Sequence, residues 1–513
     1  MTHATQLTDR PNAFLFNRSK MLYVIAILLI LGIGLAIRFY DLYDAPLDFH
    51  PTRQLFSAIK ARGMYYENLP EAADWQRDFA VQQWKIQGLI EPPVMERITA
   101  SFYKLLGMEA LWVPRVLSIL FWTIAGLFLL SMTAAMIDKN AGVIAFLLFM
   151  INPYTAIASR AFQPEALMVM LMVIAMWGLM RWVENESFGN AIIAGLFGGL
   201  AIFIKSVVIF PLVLMFVAVI LLHNRGLKQT LRSGSVWLMA FLVALPYLAY
   251  MLYGLWVVKA LQSQFSLRFF PQLWIDPVFW LRWNEMISKV VGREIFLASI
   301  IGIFLLRKPV QRIFLTSLFA GYFIYGMVLP YHISTHDYYQ MPLVPVVIIG
   351  ASAVFSQIIS AIRKPGWFAG LIVIGILLFY TAINAWDVRV ALKRDNYQNE
   401  VLFWQEMGTK FDPRDSVIGI TQDYGYRLNY WGWQGIENWM SLSDFALREL
   451  AGQEFDIQTL FEEQTAGKDY FLVTQMDEFN KQTEVKQILV DHYVIREETS
   501  DYIIFDLNQN RGN

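Results

Sequence analysis

The sequence predicts an α-helical polytopic membrane protein with about eleven transmembrane helices and a C-terminal soluble α/β domain. Three observations predict it. Of 513 residues, 56% are hydrophobic and only 16% charged, with a mean hydropathy of +0.43, and the apolar residues come in long runs. Lys and Arg are segregated between alternate loops. From residue 387 onward the chain changes character: 12 Lys and Arg face 23 Asp and Glu, and helix and strand patterns alternate.

Composition also sets limits. A net charge of −1 gives no case for a nucleic-acid partner. Cysteine is absent, which excludes disulfides, thiolate metal sites and cysteine nucleophiles and suits an extracytoplasmic face. The 17 Trp and 23 Tyr suit a chain with much interfacial surface.

Along the chain, Arg10, Arg18 and Lys20 precede the apolar run Met21–Ile37. Arg38-Phe-Tyr-Asp follows with no small-residue cleavage pattern, so this is read as an uncleaved first span. Further spans are expected at 110–135, 141–156, 164–181, 189–204, 206–222, 234–256, 294–306, 313–331, 339–360 and 366–386. With the N-terminus inside, the inner loops hold Lys139, Arg181, Arg225, Lys228, Arg232, Arg307, Lys308, Arg312, Arg363 and Lys364. The short outer loops hold only Arg160 and Lys205. That bias orients the protein with a cytoplasmic N-terminus in a cell membrane, expected to be a bacterial plasma membrane, and the odd span count places the C-terminus outside.

The expected organisation is a transmembrane domain over 1–386, including an extracytoplasmic loop at 39–109, and an extracytoplasmic domain over 387–513. In the loop, Leu55–Tyr66 and Val94–Leu106 carry apolar residues at helical spacing and are expected to lie flat in the membrane interface. A second outer piece, 257–293, is rich in Trp, Phe and Arg. In the tail, helices are expected at Glu400–Lys410 and Asp444–Ala451, and strands at Ser416–Thr421, Asp469–Gln475, Gln487–Ile495 and Tyr502–Leu507. The tail has no nucleotide-binding glycine pattern, and the chain shows no internal repeat.

Ionisable groups at span ends each ask for a reason, because burying them near a membrane is unfavourable. In "YDAPLDFHPTRQ", Asp41 and Asp44 read as a solvated rim. Asp48 stands just before a helix start, with Pro51 near its first position and His50 and Arg53 beside it, and is a candidate general base. Arg115 opens the second span, where snorkelling would explain it. In "SRAFQPEALM", Arg160 sits at an outer rim and Glu165 in the first turn of the next span, where a helix dipole would favour it. Lys205 ends an otherwise apolar stretch and either snorkels or meets a lipid phosphate. "HISTHDYYQMPLVP" brings His332, His336, Asp337, Tyr338 and Tyr339 to another outer rim. The two histidines have a zinc-like spacing but no assignable third ligand, so a divalent metal finds no support. The tyrosines also suit an interfacial belt. The functional face is therefore read as the outer one, with a substrate carrying a phosphate at the membrane surface and a lipid tail.

These segments resemble the C-type glycosyltransferases, multispan enzymes that use polyprenyl-phosphate sugars, in the branch of the protein O-mannosyltransferases and lipid A aminoarabinose transferases. "LDFHPTRQLFSAIKARGMYY" looks like the family's first outer loop. "EPPVMERITASFYKLLGMEALWVPRVLSIL" looks like its Pro-Pro helix and the Arg that opens span two. "NPYTAIASRAFQPEALM", "GLAIFIKSVVIFPL" and "HDYYQMPLVP" look like later outer motifs, in the family's order. The resemblance implies the C-type fold and an inverting transfer of a hexosyl or pentosyl group from a polyprenyl-phosphate donor, without cofactor, to a lipid, polysaccharide or protein acceptor. It implies Asp48 as base, with His50 and Glu165 in the catalytic set. Lys205, Arg53 or Arg160, His336, Tyr338 and Tyr339 would hold the donor phosphate, and Asp41, Asp44, Arg115 and Asp337 are further candidates. The sequence departs from the family at one point. An acidic pair precedes the loop helix there, and aligning "TR" puts His50 and Pro51 on it. The base is left among Asp48, Asp41, Asp44 and His50. A flippase of lipid-linked sugars, expected to show repeats and midplane charges, and a catalytically altered relative are the alternatives.

Overall fold

The computed structural model describes residues 14–88, 91–257, 268–362, 366–394 and 396–510. Arg10, Arg363 and Lys364, three of the charges used to orient the spans, lie outside the described residues.

Helix α1 (Lys20–Phe39) starts behind Ser19, whose hydroxyl accepts from Leu22 N at 3.2 Å. The long loop after it then builds three helices, α2 (Pro51–Tyr66), α3 (Asp74–Ile86) and α4 (Val94–Leu106). The chain returns through α5 (Trp112–Met136), α6 (Lys139–Ile151) and the short α7 (Pro153–Ala158), where Asn152 caps and Pro153 takes the first position. Next come α8 (Glu165–Glu184), α9 (Phe188–Ile204), α10 (Ile209–His223), α11 (Leu227–Thr230) and α12 (Gly234–Leu252). The second outer piece holds α13 (Pro277–Val291), and α14 (Arg293–Leu305), α15 (Pro309–Val328), α16 (Pro330–Thr335), α17 (Leu343–Ser360) and α18 (Trp367–Arg394) complete the helical body. Each expected span contains a helix, but 141–156 is divided at Asn152 between α6 and α7, and 339–360 is α-helical only from Leu343. α18 runs on past residue 386 to Arg394 without a break. Seven of the described helices are long and apolar enough to cross a membrane, and the chain is a multi-pass membrane protein. α14 and α17 approach so closely that a Cβ on Gly302 would lie 1.9 Å from Gly350 O.

Opposite ends of the body differ in character. Met136, Asp138, Asn140, Gln311 and Ser356 gather at one end: Gln311 Nε2 donates to Met136 O at 2.6 Å, Ser356 to Asp138 at 2.8 Å, and Phe16 N to Asn140 Oδ1 at 3.1 Å. The loop after α1, the α4–α5 turn, residues 159–165, Lys205 and residues 332–339 meet at the other.

The tail contains α19 (Gln398–Gly408), β1 (Val417–Ile420), α20 (Tyr426–Gly432), β2 (Ile436–Asn438), α21 (Leu442–Leu450), α22 (Ile457–Thr465), β3 (Tyr470–Val473), α23 (Met476–Lys481), α24 (Thr483–His492), β4 (Tyr493–Glu498) and β5 (Ile503–Asn510). The sheet order is β2-β1-β3-β5-β4, with β1 parallel to β2 and β3 and the β5 pairings antiparallel. Alternation sorts the strands' residues between two apolar cores. Val417, Leu472 and Ile504 pack with Leu55, Ile59, Tyr65 and Tyr103 of the outer loop, while Ile418, Phe471, Val473 and Phe505 form a second core with Phe461, Phe479 and Leu489.

Two expectations are corrected. Residues Leu55–Tyr66 do not lie flat on a membrane surface: positions 54–65 of α2 are all buried, because this helix is wedged between the helical body and the tail. Arg62 holds that contact, stacked 3.7 Å from the Tyr430 ring and 4.3 Å from Trp433, with Nε 3.1 Å from Glu109. Residues 487–492 are helical rather than extended; the buried pair Val485 and Leu489 is spaced i,i+4, and β4 begins only at Tyr493.

Candidate active site

The candidate residues at this end of the helical body sort into two adjoining clusters and an anchor. The anchor centres on Asp48. Arg115 Nη2 donates to its Oδ1 at 3.0 Å, Gln54 Nε2 to the same oxygen at 3.2 Å, and Arg160 Nε lies 3.5 Å from Oδ2. Both arginines also clamp the loop backbone, Arg115 on the carbonyls of Asp41, Leu42 and Ala45, Arg160 on those of Tyr40 and Asp41 at 2.5 Å. Arg115 and Arg160 are thus fully buried and occupied rather than snorkelling. Asp41 and Asp44 face a separate cleft beside Tyr397 and Trp431.

The first cluster surrounds Lys205. The cation caps the C-terminus of α9, where the backbone turns extended before the next span, and its ammonium pairs with Glu165 in the first turn of α8. Glu91 Oε1 lies 3.6 Å from the same ammonium, and Glu91 Oε2 accepts from Arg53 Nη2 at 2.7 Å. The rings of Tyr338 and Tyr339 lie 5.0 and 5.2 Å from the Lys205 ammonium. Lys205 and Glu165 are 3% and 2% exposed, which rules out snorkelling. Two polar atoms here, Arg53 Nε and Glu165 Oε2, are buried without a partner in the described structure.

Burial alone would raise the Glu91 carboxyl, but Lys205 and Arg53 outweigh it and hold it down at about 2. A carboxyl depressed from its ordinary value of 4.5 adds stability above that value and loses it as pH falls toward 2. Glu91→Gln is therefore expected to lower Tm by a constant amount at pH 5–8, with the gap to wild type closing below about pH 4. A gap independent of pH down to the acid limit of folding would contradict the pairing.

The second cluster joins the loop after α1 to residues 332–339. His50 ends the first loop as the N-cap of α2 at φ 44°, a left-handed conformation that turns its ring toward residues 332–339. His50 Nε2 lies 2.6 Å from Asp337 Oδ1, and Lys289 Nζ of α13 lies 2.6 Å from Oδ2. Burial would raise the Asp337 carboxyl, but His50 and Lys289 hold it well below the usual carboxylate range. The His50 ring stands edge-on to Phe49 and Tyr338. His332 and His336 stack nearby, and burial pushes them down to about 3 and about 4, leaving both neutral. Among the described residues no group of three His, Cys, Asp or Glu is arranged to hold a metal ion.

Both clusters touch the tail through α2. Thr52 Oγ1 donates to Asp423 Oδ1 at 2.8 Å, and Arg427 Nε donates to the other oxygen of Asp423 at 2.6 Å.

Of the expected residues, Arg53, Glu165, Lys205, Tyr338 and Tyr339 come together, as do His50 and Asp337, with His336 beside them. Asp48, Arg115 and Arg160 form the anchor. Three contributors escaped sequence reasoning. Glu91 stood before Pro92-Pro93 as a helix-start signal; its value as a site residue lay in an acid flanked by apolar residues at an outer rim. Lys289 is one of several charges on an amphipathic helix, and Asp423 one of many acids in the tail.

Residues 90–253 match the family described as dolichyl-phosphate-mannose-protein mannosyltransferase. That stretch includes Glu91, Arg115, Arg160, Glu165 and Lys205. No curated protein matches the sequence. Among solved structures, ArnT from Cupriavidus metallidurans in the apo state is similar with a TM-score of 0.60 at 12% identity, over 95% of this chain and 98% of that one. The same protein bound to undecaprenyl phosphate gives 0.58 at 13% identity, over 93% and 97%. The oligosaccharyltransferase AglB from Archaeoglobus fulgidus, in complex with an inhibitory peptide and a dolichol-phosphate, gives 0.54 at 12% identity, over 94% and 74%. At such identities the likeness establishes the fold, and it bears out the resemblance read from the sequence: the architecture is the C-type glycosyltransferase fold.

Proposed function

We propose that this chain is a membrane glycosyltransferase that moves a sugar from a polyprenyl-phosphate donor to an acceptor at the extracytoplasmic face, its N-terminus cytoplasmic and its tail outside. The observation that carries the reading is the buried cluster of Lys205, Arg53, Glu91 and Glu165. Two cations at the end of an apolar helical body, with the Arg53 Nε–H left unpartnered, suit a phosphate ester at that depth. The family match over 90–253 and the C-type fold support the same reaction class.

Glycosyl transfer from a phosphate ester needs charge stabilisation at the departing phosphate and a base at the acceptor hydroxyl. Lys205 and Arg53 serve the phosphate, with Glu91 and Glu165 keeping both cations in place. The acceptor oxygen bonds to the anomeric carbon from the face opposite the phosphate, the bond from that carbon to the phosphate oxygen breaks, and the anomeric centre inverts. The acceptor's proton passes to His50, whose ring Asp337 orients. Asp48 is a poor base in this geometry, because both its oxygens are engaged by arginines; its role is to fix the loop that carries His50.

The test is binding of undecaprenyl phosphate by the purified protein in nanodiscs, followed by transfer from polyprenyl-phosphate sugars extracted from membranes. Absence of undecaprenyl-phosphate binding by folded protein overturns the reading. A separate outcome bears on Asp48. Asp48→Asn is expected to destabilise the protein by about 1–3 kcal/mol, seen as a lower Tm, while much of the transfer rate per folded molecule survives. An unchanged Tm with transfer abolished would restore Asp48 as the base.

A further inference from the structure

The tail's sheet reverses direction at β1. The chain passes from β1 to β2 on one side, then crosses back to β3 on the other, all three strands parallel. In open α/β sheets, ligands bind beyond the carboxyl ends of the strands at such a reversal. Here those ends carry Gln422 and Thr474, which hydrogen-bond both ways: Gln422 Nε2 donates to Thr474 O at 3.1 Å and Thr474 Oγ1 to Gln422 Oε1 at 2.5 Å. A cleft of about 260 Å³ opens beside that contact, lined by Thr421, Asp423, Asn438, Ser441, Gln475 and Glu478, and it reaches Thr52 of α2. A larger cleft of about 700 Å³ on the other side shares Gln475 and Glu478.

Two observations mark the smaller cleft as built for a ligand. The Thr421 hydroxyl is buried without a partner, on a residue only 4% exposed that lines the cleft. An orphaned hydroxyl is unfavourable unless something completes it. The cleft wall at Asp423, Tyr424 and Gly425 also holds three consecutive residues at positive φ, 53°, 57° and 77°. The first two are strained for residues with a Cβ, and such strain gathers at binding sites.

The lining chemistry selects the ligand. No Lys or Arg lines this cleft, and the tail carries nearly twice as many acids as bases, so anions are disfavoured. Of the two carboxylates, one is paired with a cation and the other is held by neutral donors. Asp423 is paired with Arg427, and Glu478 accepts at one oxygen, Oε1, from Leu442 N at 2.6 Å and from Gln482 Nε2 at 3.2 Å, which leaves Oε2 to a hydroxyl donor. What remains is a set of hydroxyls, amides and partly bonded carboxylates, with Tyr424, 40% exposed, at the rim. That set complements sugar hydroxyls, which donate and accept together.

We propose that this cleft holds a neutral, hydroxyl-rich glycan and presents it as the acceptor. The Thr52–Asp423 hydrogen bond fixes the cleft to the first turn of α2, between His50 and Arg53 in sequence, so the bound chain is delivered where donor and base meet. The word acceptor rests on the proposed glycosyltransferase reading; the binding site itself does not.

The experiment uses the full-length protein in nanodiscs against a panel of neutral, anionic and amino-sugar oligosaccharides, with undecaprenyl phosphate measured separately. Neutral oligosaccharides are expected to bind, at least tenfold more weakly to Asn438→Ala and Gln475→Ala. Thr421→Val is expected to weaken binding several-fold without lowering Tm, since it only discards an unpartnered hydroxyl. Binding confined to anionic or amino sugars, binding unmoved by all three variants, or no glycan binding by folded protein overturns the proposal. Failure to bind undecaprenyl phosphate is read independently and overturns the donor reading instead.

Discussion

His50→Ala is expected to lower sugar transfer by about 10²–10⁴-fold, the usual contribution of a positioned base, while leaving undecaprenyl-phosphate affinity within about twofold of wild type, because His50 contacts no member of the Lys205 cluster except the edge of Tyr338. With Nε2 held 2.6 Å from an ionised Asp337, the neutral imidazole carries its proton there and its lone pair on Nδ1. Nδ1 makes no hydrogen bond among the described residues, and the His50 side chain is about one-third exposed, so that nitrogen is available to an acceptor hydroxyl. Lys289 on the second Asp337 oxygen fixes the carboxylate and keeps it ionised. Asp337→Asn is the sharper variant. It preserves shape but removes the charge that selects the tautomer and steadies the imidazolium formed during transfer. Turnover is expected to fall at least tenfold with the donor KM unchanged, since the imidazolium formed during transfer has lost its counter-charge. A purely structural contact would lower Tm while leaving turnover per folded molecule near wild type. Retention of wild-type turnover in His50→Ala would return the base to the acids of the same loop.

The sequence made the helical body legible because apolar runs are long and the membrane imposes their length. It also made the outer rim legible, since a lysine or an acid in an apolar stretch requires compensation. Lys205, Glu165, His50 and Asp337 were each visible for that reason. What stayed hidden was pairing across sequence distance. That Lys205 meets Glu91 and Glu165 at once, or that Asp337 reaches back 287 residues to His50, depends on which outer loops converge, and periodicity carries no such information. The reading of α2 failed for a related reason. Its apolar spacing fits a helix lying on a membrane equally well, and only its burial against the tail, through Tyr65, Trp404 and Leu428, decides between them. At residues 487–492 the apolar run Ile488-Leu489-Val490 suits strand or helix, and the packing of Leu489 with Val485 decided it.

Lys205→Ala is expected to remove undecaprenyl-phosphate binding, yet the simple variant is a poor test. Lys205 is 3% exposed and faces two carboxylates, so truncating it leaves Glu165, 2% exposed, charged and unpaired. Breaking a buried pair from one side is destabilising by about 3–5 kcal/mol, and lost binding could then reflect lost folding. The informative variant is Lys205→Met with Glu165→Gln. It removes both charges at similar volume, and replacing a buried ion pair in this way is close to neutral for stability. Tm is therefore expected to stay near wild type, whereas donor affinity falls by about 30-fold or more, the usual consequence of deleting one buried, charge-assisted contact to a ligand worth about 2–5 kcal/mol. Glu165→Gln alone supplies the control: it leaves Lys205 and Glu91 in place and is expected to change donor affinity far less than the double variant. If the double variant folds and binds undecaprenyl phosphate as wild type does, Lys205 is only a bolt between α8 and α9, and the phosphate must be sought elsewhere on the outer rim. If it folds and does not bind, the lysine's placement at the end of an apolar helix is explained by the anion it receives, with Glu91 and Glu165 serving as the counter-charges that keep it buried until the donor arrives.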